Sequence, residues 1–260
     1  MTDLRKAQLV MKDILDFVVK ICEENNLEYW LDCGTLLGAV RHGGFIPWDD
    51  DIDICMPRKD YEKFTEIFQE YKNDEYKLIN EENEKNYTNS FMKVVTNYHY
   101  IIEKKINYHK GISIDIFQMD FYEKDKKELL KKIVKYSKNF PITKSKIVNF
   151  FFYLKKRIYR LKKRGIKKIL LEAKNKGTKD VIAYDLSNNY PSVYDYDIVF
   201  PLGSIVFENT EYKAPKNVDL YLKEYYGNYW KLPPIEERNG HSINGYIFDE
   251  EKLNKIVQKI

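Results

Sequence analysis

Apolar residues recur at three- and four-residue steps through the first segment of the chain, from Leu4 to Ile21. That spacing predicts an amphipathic helix, because residues three and four positions apart share one face of an α-helix. We expect this helix to end near Asn25 and Asn26. The run LEYWLDCG then predicts a short strand, and a second helix is expected to open at Gly34, where free backbone N–H groups could face an anion.

The apolar pattern changes period twice in the rest of the chain. A helix is predicted from about Pro57, with an inner face formed by Tyr61, Phe64, Ile67, Phe68 and Tyr71. The runs SFMKVVTN, YHYIIEKK and GISIDIFQM have the length and β-branched content of three strands. SIVFENTEY predicts a strand or hairpin, and NVDLYLKEYYG predicts one more helix. Together these elements predict an α+β protein with a mixed β-sheet flanked by helices.

One stretch, FIPWDDDIDI, crowds four aspartates between apolar residues. If the stretch is a strand, Asp49, Asp51 and Asp53 share one face, because successive side chains of a strand alternate. Ile52 and Ile54 then point into the core. Asp115 lies between two isoleucines in another predicted strand, so it supplies a third carboxylate.

Neighbouring carboxylates repel one another unless a cation lies between them. Mg²⁺ suits such a group, because it takes one or two carboxylates and completes its shell with water and phosphate oxygens. A solvated loop is the ordinary alternative for a run of aspartates. A calcium loop is disfavoured, because Ile54 stands at the sixth position, where glycine is needed, and Pro57 stands at the ninth.

Composition changes this picture mainly through the distribution of charge. The 260 residues, 43% of them hydrophobic, are enough to bury a substantial core. Of the 44 lysines and arginines, 20 lie between Lys126 and Lys179, where there are two glutamates. We therefore expect a core over residues 1–125, a basic helical segment over 126–190, and a C-terminal part over 191–260 that packs on the core.

The basic segment leaves three interpretations open. The run FFYLKKRIYRLKKRGIKKIL is both cationic and rich in large apolar residues, which suits a helix lying on an anionic membrane surface. A helix that packs its aromatics on the core and solvates its lysines is equally favoured. Nucleic-acid binding is disfavoured, because no recognition module accompanies the basic residues.

The sequence also indicates a compartment. The N-terminus lacks the apolar block of a signal peptide, and nowhere do 18 apolar residues run together. The three cysteines, Cys22, Cys33 and Cys55, match no metal-binding spacing, so we expect them to be buried in a reducing compartment. We therefore expect a cytoplasmic protein, with peripheral contact at the inner face of the cell membrane as an open question.

The run LDCGTLLGAVRHGGFIPWDDDIDI resembles the signature of the LicD family, the phosphocholine transferases that decorate bacterial surface polysaccharides. That family is related to the fukutin family within the nucleotidyltransferase superfamily. The resemblance continues in SIDIF and in YLKEYYGNYWKLPP, which is followed by Arg238 and His241. It implies that residues 1–125 form a catalytic core with a nucleotidyltransferase-like sheet, that the basic segment is added to this core, and that residues 191–260 complete the active-site cleft.

The resemblance also implies site residues. Asp51, Asp53 and Asp115 match the catalytic acids that bind two metal ions in that superfamily. We expect these ions to be Mg²⁺ or Mn²⁺. Gly34 and Thr35 match the pair that holds the nucleotide phosphates. The residue after Gly34 is threonine and the spacing to Asp51 is long, so the manner of phosphate binding stays open.

The implied reaction is transfer of phosphocholine from CDP-choline or a similar CDP-linked donor to a hydroxyl of a cell-surface glycan. Teichoic acid, capsule and lipopolysaccharide are candidate acceptors, and a lipid-linked acceptor would make membrane contact useful. Transfer of ribitol phosphate, glycerol phosphate or a nucleotide would use the same metals. A non-enzymatic membrane- or nucleic-acid-binding protein is the remaining alternative, disfavoured because it has no need of three mutually repelling carboxylates.

Four further side chains are candidates near the aspartates. Arg41 is either a phosphate clamp or an ordinary surface arginine. His42 either orients a phosphate or makes structural hydrogen bonds. Lys93, alone in an apolar run, is expected to face the cleft, because burying an unpaired lysine is costly. Asp49 is expected to orient the metal ligands from behind them.

The C-terminal motif supplies the last candidates. Tyr226 and Trp230, with Tyr225 and Tyr229, could form an aromatic cage that binds a choline ammonium through cation–π contact. For Arg238 and His241 the family pattern alone indicates a place at the rim of the site.

Overall fold

The computed structural model describes most of the chain, namely residues 1–71, 74–102, 108–137, 146–186, 192–238, 240 and 244–259. Within these residues an eight-stranded mixed sheet is flanked by helices, and a separate two-stranded hairpin lies beside it. The predicted α+β class is therefore confirmed. His241 falls outside the described residues.

The main sheet contains both parallel and antiparallel pairs. Its strands are β1 (Trp30–Leu31), β2 (Asp53–Pro57), β3 (Tyr76–Ile79), β4 (Met92–Ile101), β5 (Gly111–Tyr122), β6 (Val181–Tyr184), β7 (Val193–Asp195) and, after the hairpin of β8 (Gly203–Phe207) and β9 (Thr210–Ala214), β10 (Tyr246–Ile247). The order β1-β2-β5-β4-β10 forms its main path, with β3 also on β4 and with β6 joining β5 to β7. Only β2 and β5 run parallel among the described pairs. The long strand β5 is thus the axis of the sheet.

Eight helices of the described chain surround this sheet. They are α1 (Asp3–Glu24), α2 (Cys33–His42), α3 (Arg58–Ile67), α4 (Lys127–Ser137), α5 (Lys146–Ala173), α6 (Tyr196–Val199), α7 (Val218–Tyr226) and α8 (Glu250–Lys259). The Thr2 hydroxyl caps α1 by accepting from the Arg5 N–H at 3.2 Å, and the helix ends at Asn25 as the apolar period predicts. Helix α1 packs on β4 and β5, and α8 packs on α1.

The two faces of the central strands differ in chemistry. On one face, Val94 of β4 pairs across from Ile114 of β5, and both are fully buried in the main core. The other face carries the acidic residues described below. A smaller cluster at the far end of β5 includes Tyr122, Leu130 and Leu170, so α4 and α5 of the basic segment are attached to the sheet by apolar packing.

The aspartate stretch was predicted as a strand, and this prediction is wrong for its first residues. Strand β2 begins only at Asp53, whereas Asp49 and Asp51 lie in the preceding loop. A turn causes the delay, because the Asp49 N–H donates to the Ile46 carbonyl at 2.9 Å. Pairing with β5 starts at Ile52, whose carbonyl accepts from the Asp115 N–H at 2.8 Å.

Two other expectations need correction. SFMKVVTN and YHYIIEKK were predicted as two strands, but Met92–Ile101 is one strand, with a register shift between Val95 and Tyr100. The short strands β3, β6, β7 and β10 and the helices α6 and α8 were not predicted.

The division of the chain at residues 125 and 190 stays a prediction. No helix in the described part of the chain has the length and apolar character needed to cross a bilayer.

Candidate active site

Three neighbouring strands place Asp53, Asp115 and Lys93 in one row. Asp53 of β2 lies opposite Asp115 of the parallel strand β5, and Asp115 lies opposite Lys93 of the antiparallel strand β4. Residues directly opposite on adjacent strands point to the same face of a sheet. The row thus brings two predicted acids and the predicted cleft lysine together, and the Lys93 ammonium donates to Asp115 Oδ1.

Asp53 is surrounded by other acidic side chains. It is buried, with only 8% of its surface exposed. Burial raises the pKa of Asp53 well above its usual range, and the negative charges of Asp51, Asp115, Asp32 and Asp49 raise it further. An ionised Asp53 is therefore costly unless a cation neutralises it, and this is the electrostatic demand that a divalent metal would meet.

The start of α2 fixes the position of Asp53 through its backbone. The Asp53 N–H donates to the Thr35 hydroxyl at 2.8 Å, and its carbonyl accepts from the Asp32 N–H at 3.0 Å. Thr35 is buried, so its described role is to anchor the first residue of β2. The predicted role of Thr35 in phosphate binding stays a prediction.

The absence of a side chain at Gly34 lets the Asp49 carboxylate approach the backbone closely. A Cβ atom at this position would lie 2.6 Å from Asp49 Oδ2, closer than real Cβ atoms come to oxygen. The Asp49 carboxylate therefore rests against the N-terminal turn of α2, where free N–H groups favour negative charge. Gln8 of α1 holds the same loop by donating to the Asp49 carbonyl at 3.0 Å.

Beneath this turn, the Asp32 carboxylate is completely buried and joins three other elements. It accepts hydrogen bonds from Cys55 Sγ at 2.8 Å, from the Tyr221 hydroxyl at 2.8 Å and from the Tyr184 hydroxyl. Burial, followed by the charge of Asp32, raises the pKa values of both tyrosines well above their usual range, so both remain donors. Asp32 thus ties β2, β6 and α7 to the start of α2.

The sequence interpretation missed this buried carboxylate. A lone acid in the apolar run EYWLDC is a visible signal for Asp32. Its tyrosine partners carry no such signal, because Tyr184 and Tyr221 lie more than 150 positions along the chain. All three cysteines are buried as predicted.

Arg41 and Tyr226 lie beside the acidic group. Arg41 Nη1 donates to the Tyr229 carbonyl at 3.0 Å, whereas its buried Nε atom has no hydrogen-bond partner within the described chain. Burial lowers the pKa of Arg41 and the charges of Tyr226 and Asp49 oppose this change. Burial raises the pKa of Tyr226, and Cys33, Asp32, Asp53 and Asp49 raise it further. Helix α7 therefore places Tyr226 near the acidic group, with Arg41 close to it.

Two of the remaining candidates, Arg238 and His42, lie beside Trp48 at the edge of the aspartate loop. The Arg238 guanidinium lies over the Trp48 ring at 5.2 Å, and His42 approaches the same ring edge-on at 6.3 Å. Burial lowers the pKa of His42, and Arg41 lowers it further. Trp230 is exposed and lies 5.3 Å from the ring of Tyr229. The substrate-binding roles predicted for these side chains stay predictions.

The donor set suits a hard divalent cation that shares its shell with a substrate. Mg²⁺ accepts one or two carboxylates and keeps positions for water and phosphate oxygens. Asp51 and Asp53 could supply those carboxylates. In the described chain, no three histidine, cysteine, aspartate or glutamate side chains already converge as a metal cage, and Asp115 is engaged by Lys93. Carboxylate chemistry fits the ion, but the third acid carries a cation of its own.

Comparison with known proteins finds similarity that includes the region of the candidate acids. Residues 26–158 match the family described as LicD/FKTN/FKRP, nucleotidyltransferase domain. The lipopolysaccharide cholinephosphotransferase LicD of Haemophilus influenzae is 29% identical over 269 residues, covering 92% of this chain and 96% of that protein. Human ribitol 5-phosphate transferase FKRP is 46% identical over 50 residues, which are 19% of this chain and 10% of that protein. Mannosyltransferase regulator 4 of Saccharomyces cerevisiae is 29% identical over 68 residues, 26% of this chain and 6% of that protein.

Replacing Asp32 tests its structural role. We expect Asp32→Asn to lower the free energy of unfolding by about 2 kcal/mol, because the amide presents N–H groups to donors that need an acceptor. Urea denaturation of the purified chain measures the change. Glu224→Gln, at an exposed position of α7, the helix that carries Tyr221, is the control and should stay within about 0.5 kcal/mol of the original chain. Equal stability of Asp32→Asn and the control would contradict the role.

Proposed function

The chain belongs to the LicD/FKTN/FKRP family, and from this premise we propose that it transfers phosphocholine from CDP-choline to a hydroxyl of a cell-surface glycan. Membership in this family makes the chain a phosphotransferase. The named activity of the Haemophilus relative, which aligns along nearly all of both chains, supports phosphocholine as the group and a surface glycan as the acceptor. The observation that carries the proposal is the buried Asp53, surrounded by negative charge.

A divalent ion, Mg²⁺ or Mn²⁺, is part of this proposal. Asp51 and Asp53 would hold it, with Asp115 beside them. When bound, the ion would supply charge neutralisation for the donor phosphates and for the departing nucleotide. Thr35 and Asp32 hold the backbone of Asp53 in place before any ion binds. Little conformational entropy of this backbone is therefore lost when the ion binds.

The residues around the acids support roles in binding the donor. The buried Arg41 Nε, without a hydrogen-bond partner in the described chain, could donate to a phosphate oxygen. Tyr226 and the exposed Trp230 present aromatic faces that could bind the choline ammonium. Gly34 keeps the N-terminal turn of α2 open enough for an anion, where Asp49 now lies.

A different phosphoalkyl group is the alternative. The human relative is named as a ribitol 5-phosphate transferase, and its 50 matched residues support the same kind of site with another donor. Nucleotidyl transfer would use the same acids, but the acceptor hydroxyl would attack the phosphorus next to the nucleoside. The acceptor's position relative to the two phosphorus atoms decides between these reactions, because the leaving group must lie in line with the attacking hydroxyl.

Product analysis tests the proposed reaction. With CDP-choline, Mg²⁺ and a teichoic-acid or lipooligosaccharide acceptor, we expect equal amounts of CMP and phosphocholine-modified glycan, measured by mass spectrometry. No CMP should form without acceptor. Glycan carrying CMP, with free phosphocholine, would contradict phosphocholine transfer, and CDP-ribitol in a parallel reaction tests the alternative group.

Replacing the buried acid tests the role of the site. We expect Asp53→Asn to lower turnover by about a thousandfold or more, because the divalent ion loses one of its two proposed carboxylate ligands. The variant should remain folded, since removing one of several like charges relieves repulsion. Asp74→Asn, at an exposed loop position, is the matched control. Full turnover of an Asp51→Asn, Asp53→Asn double variant would contradict the metal site.

We also propose that α5 contacts an anionic membrane surface, where a lipid-linked acceptor would be found. Leu170 and Ile166 of α5 face the small apolar cluster at the end of β5. On another face, Ile158, Leu161 and Ile169 are exposed, the first two by 52% and 61%. These positions are three and eight residues apart, a spacing that keeps them on one side of a helix.

Basic residues flank this apolar stripe on both sides. At 100° per residue, Lys155 and Lys162 lie along one margin and Arg164 and Lys168 along the other, and all four are exposed. An apolar stripe between cationic margins is typical of helices that lie in a membrane interface. Each lysine or arginine near an anionic surface contributes about 1 kcal/mol of binding energy.

Vesicle flotation tests the membrane contact. We expect the chain to float with phosphatidylglycerol-containing vesicles but not with phosphatidylcholine vesicles, and to be released as salt rises, because charge is screened over about 10 Å at 0.1 M. The double variant Ile158→Ser, Leu161→Ser should float less, whereas Val206→Ser, at an exposed hairpin position, should not change. Unchanged flotation of the apolar double variant would contradict insertion of the stripe, and equal flotation with both kinds of vesicle would contradict the contact with anionic lipid.

A further inference from the structure

We propose that Lys93 takes, on Asp115, the place of a second divalent cation, so that the site binds one divalent ion per chain. This inference rests on the proposed metal dependence and changes its expected stoichiometry from two ions to one. The sequence predicted that Lys93 faces the cleft but not that its partner is Asp115. The position of the lysine in the sheet supplies that partner.

The sheet holds the lysine and its partner firmly. Lys93 and Asp115 are opposite each other in the antiparallel pair of β4 and β5, and their side chains are only 16% and 13% exposed. Met92 and Val94, on either side of Lys93, are fully buried in the core and fix the strand. The Lys93 ammonium also lies 5.5 Å from the centre of the Phe91 ring. The cation is therefore part of the folded structure and not a surface side chain that happens to reach the acid.

The geometry pairs the lysine with the acid. The Lys93 ammonium donates to Asp115 Oδ1, so the two side chains form an ion pair that is largely shielded from water. A cation of the chain itself therefore occupies the Asp115 side of the row.

This charge changes what the acidic row requires. Of the three proposed metal ligands, Asp115 is already paired with the Lys93 ammonium. Asp51 and Asp53 are left as the two carboxylates that would hold a divalent ion. A second divalent ion at Asp115 would have to share the carboxylate with the ammonium and lie close to it, where like charges repel strongly in a poorly solvated cleft.

Counting bound Mn²⁺ tests the inference without measuring turnover. The full chain is titrated with Mn²⁺, alone and with CDP, and free Mn²⁺ is followed by electron paramagnetic resonance against a CDP-only control. We expect one bound ion per chain in both titrations. Lys93→Met should increase the number to two, because Asp115 becomes available, and Lys93→Arg, which retains the cation, should keep it at one.

The possible results separate the inference from the proposal beneath it. Two ions in the unaltered chain would overturn the role of Lys93 and leave the metal site standing. No bound ion would overturn the metal site and the inference with it. One ion in a Lys93→Met variant that unfolds at the same temperature as the unaltered chain would also overturn the inference. If Lys93→Met does not fold, the counts for the unaltered chain and for Lys93→Arg still decide the stoichiometry.

Discussion

The concentration of negative charge around Asp53 is the constraint on which the rest of the site depends. Asp53 is buried, and four other aspartates raise its pKa well above the usual range. A protein keeps such an arrangement only when a cation or a proton offsets the repulsion. The fold supplies one cation itself, the Lys93 ammonium on Asp115, and the proposed divalent ion supplies the rest.

Hydrogen bonds to the backbone hold this charge in place. Strand β2 begins at Asp53, which is bonded to Thr35 and Asp32 at the start of α2. The buried Asp32 carboxylate then links this point to Tyr184 of β6 and Tyr221 of α7. Segments distant in sequence therefore meet behind the acids, and α7 places Tyr226 beside them as a consequence. The proposed site thus draws on both the family-matching region and the C-terminal part of the chain.

Local patterns were sufficient to predict several parts of this structure. The apolar period predicts α1 and its end, and the alternation around Asp115 predicts β5, because both depend on neighbouring residues. The loop before Asp53 was not predicted, since the turn at Ile46 competes with strand pairing. The short strands β6 and β7 carry too few residues for a period to be recognised.

Contacts between distant segments were beyond the sequence pattern. Lys93 was identified as unusual, but its partner depends on the register of β4 against β5, which a one-residue slip would change. Asp32 has a visible signal, yet its tyrosine partners come from strands and helices whose placement only the fold decides. The sequence therefore allowed candidate residues such as Asp53, Asp115 and Lys93 to be named, whereas the contacts that hold them depend on the fold.

Asp51 and Asp53 are proposed to hold a divalent ion while Lys93 remains on Asp115. Anomalous scattering from a crystal grown with Mn²⁺ and CDP measures this directly, because the anomalous signal distinguishes Mn²⁺ from water and lighter ions. We expect one anomalous peak in contact with the carboxylates of Asp51 and Asp53, with the Lys93 ammonium still hydrogen-bonded to Asp115. Bound CDP with no peak at those two carboxylates, or with Mn²⁺ displacing Lys93, would contradict it.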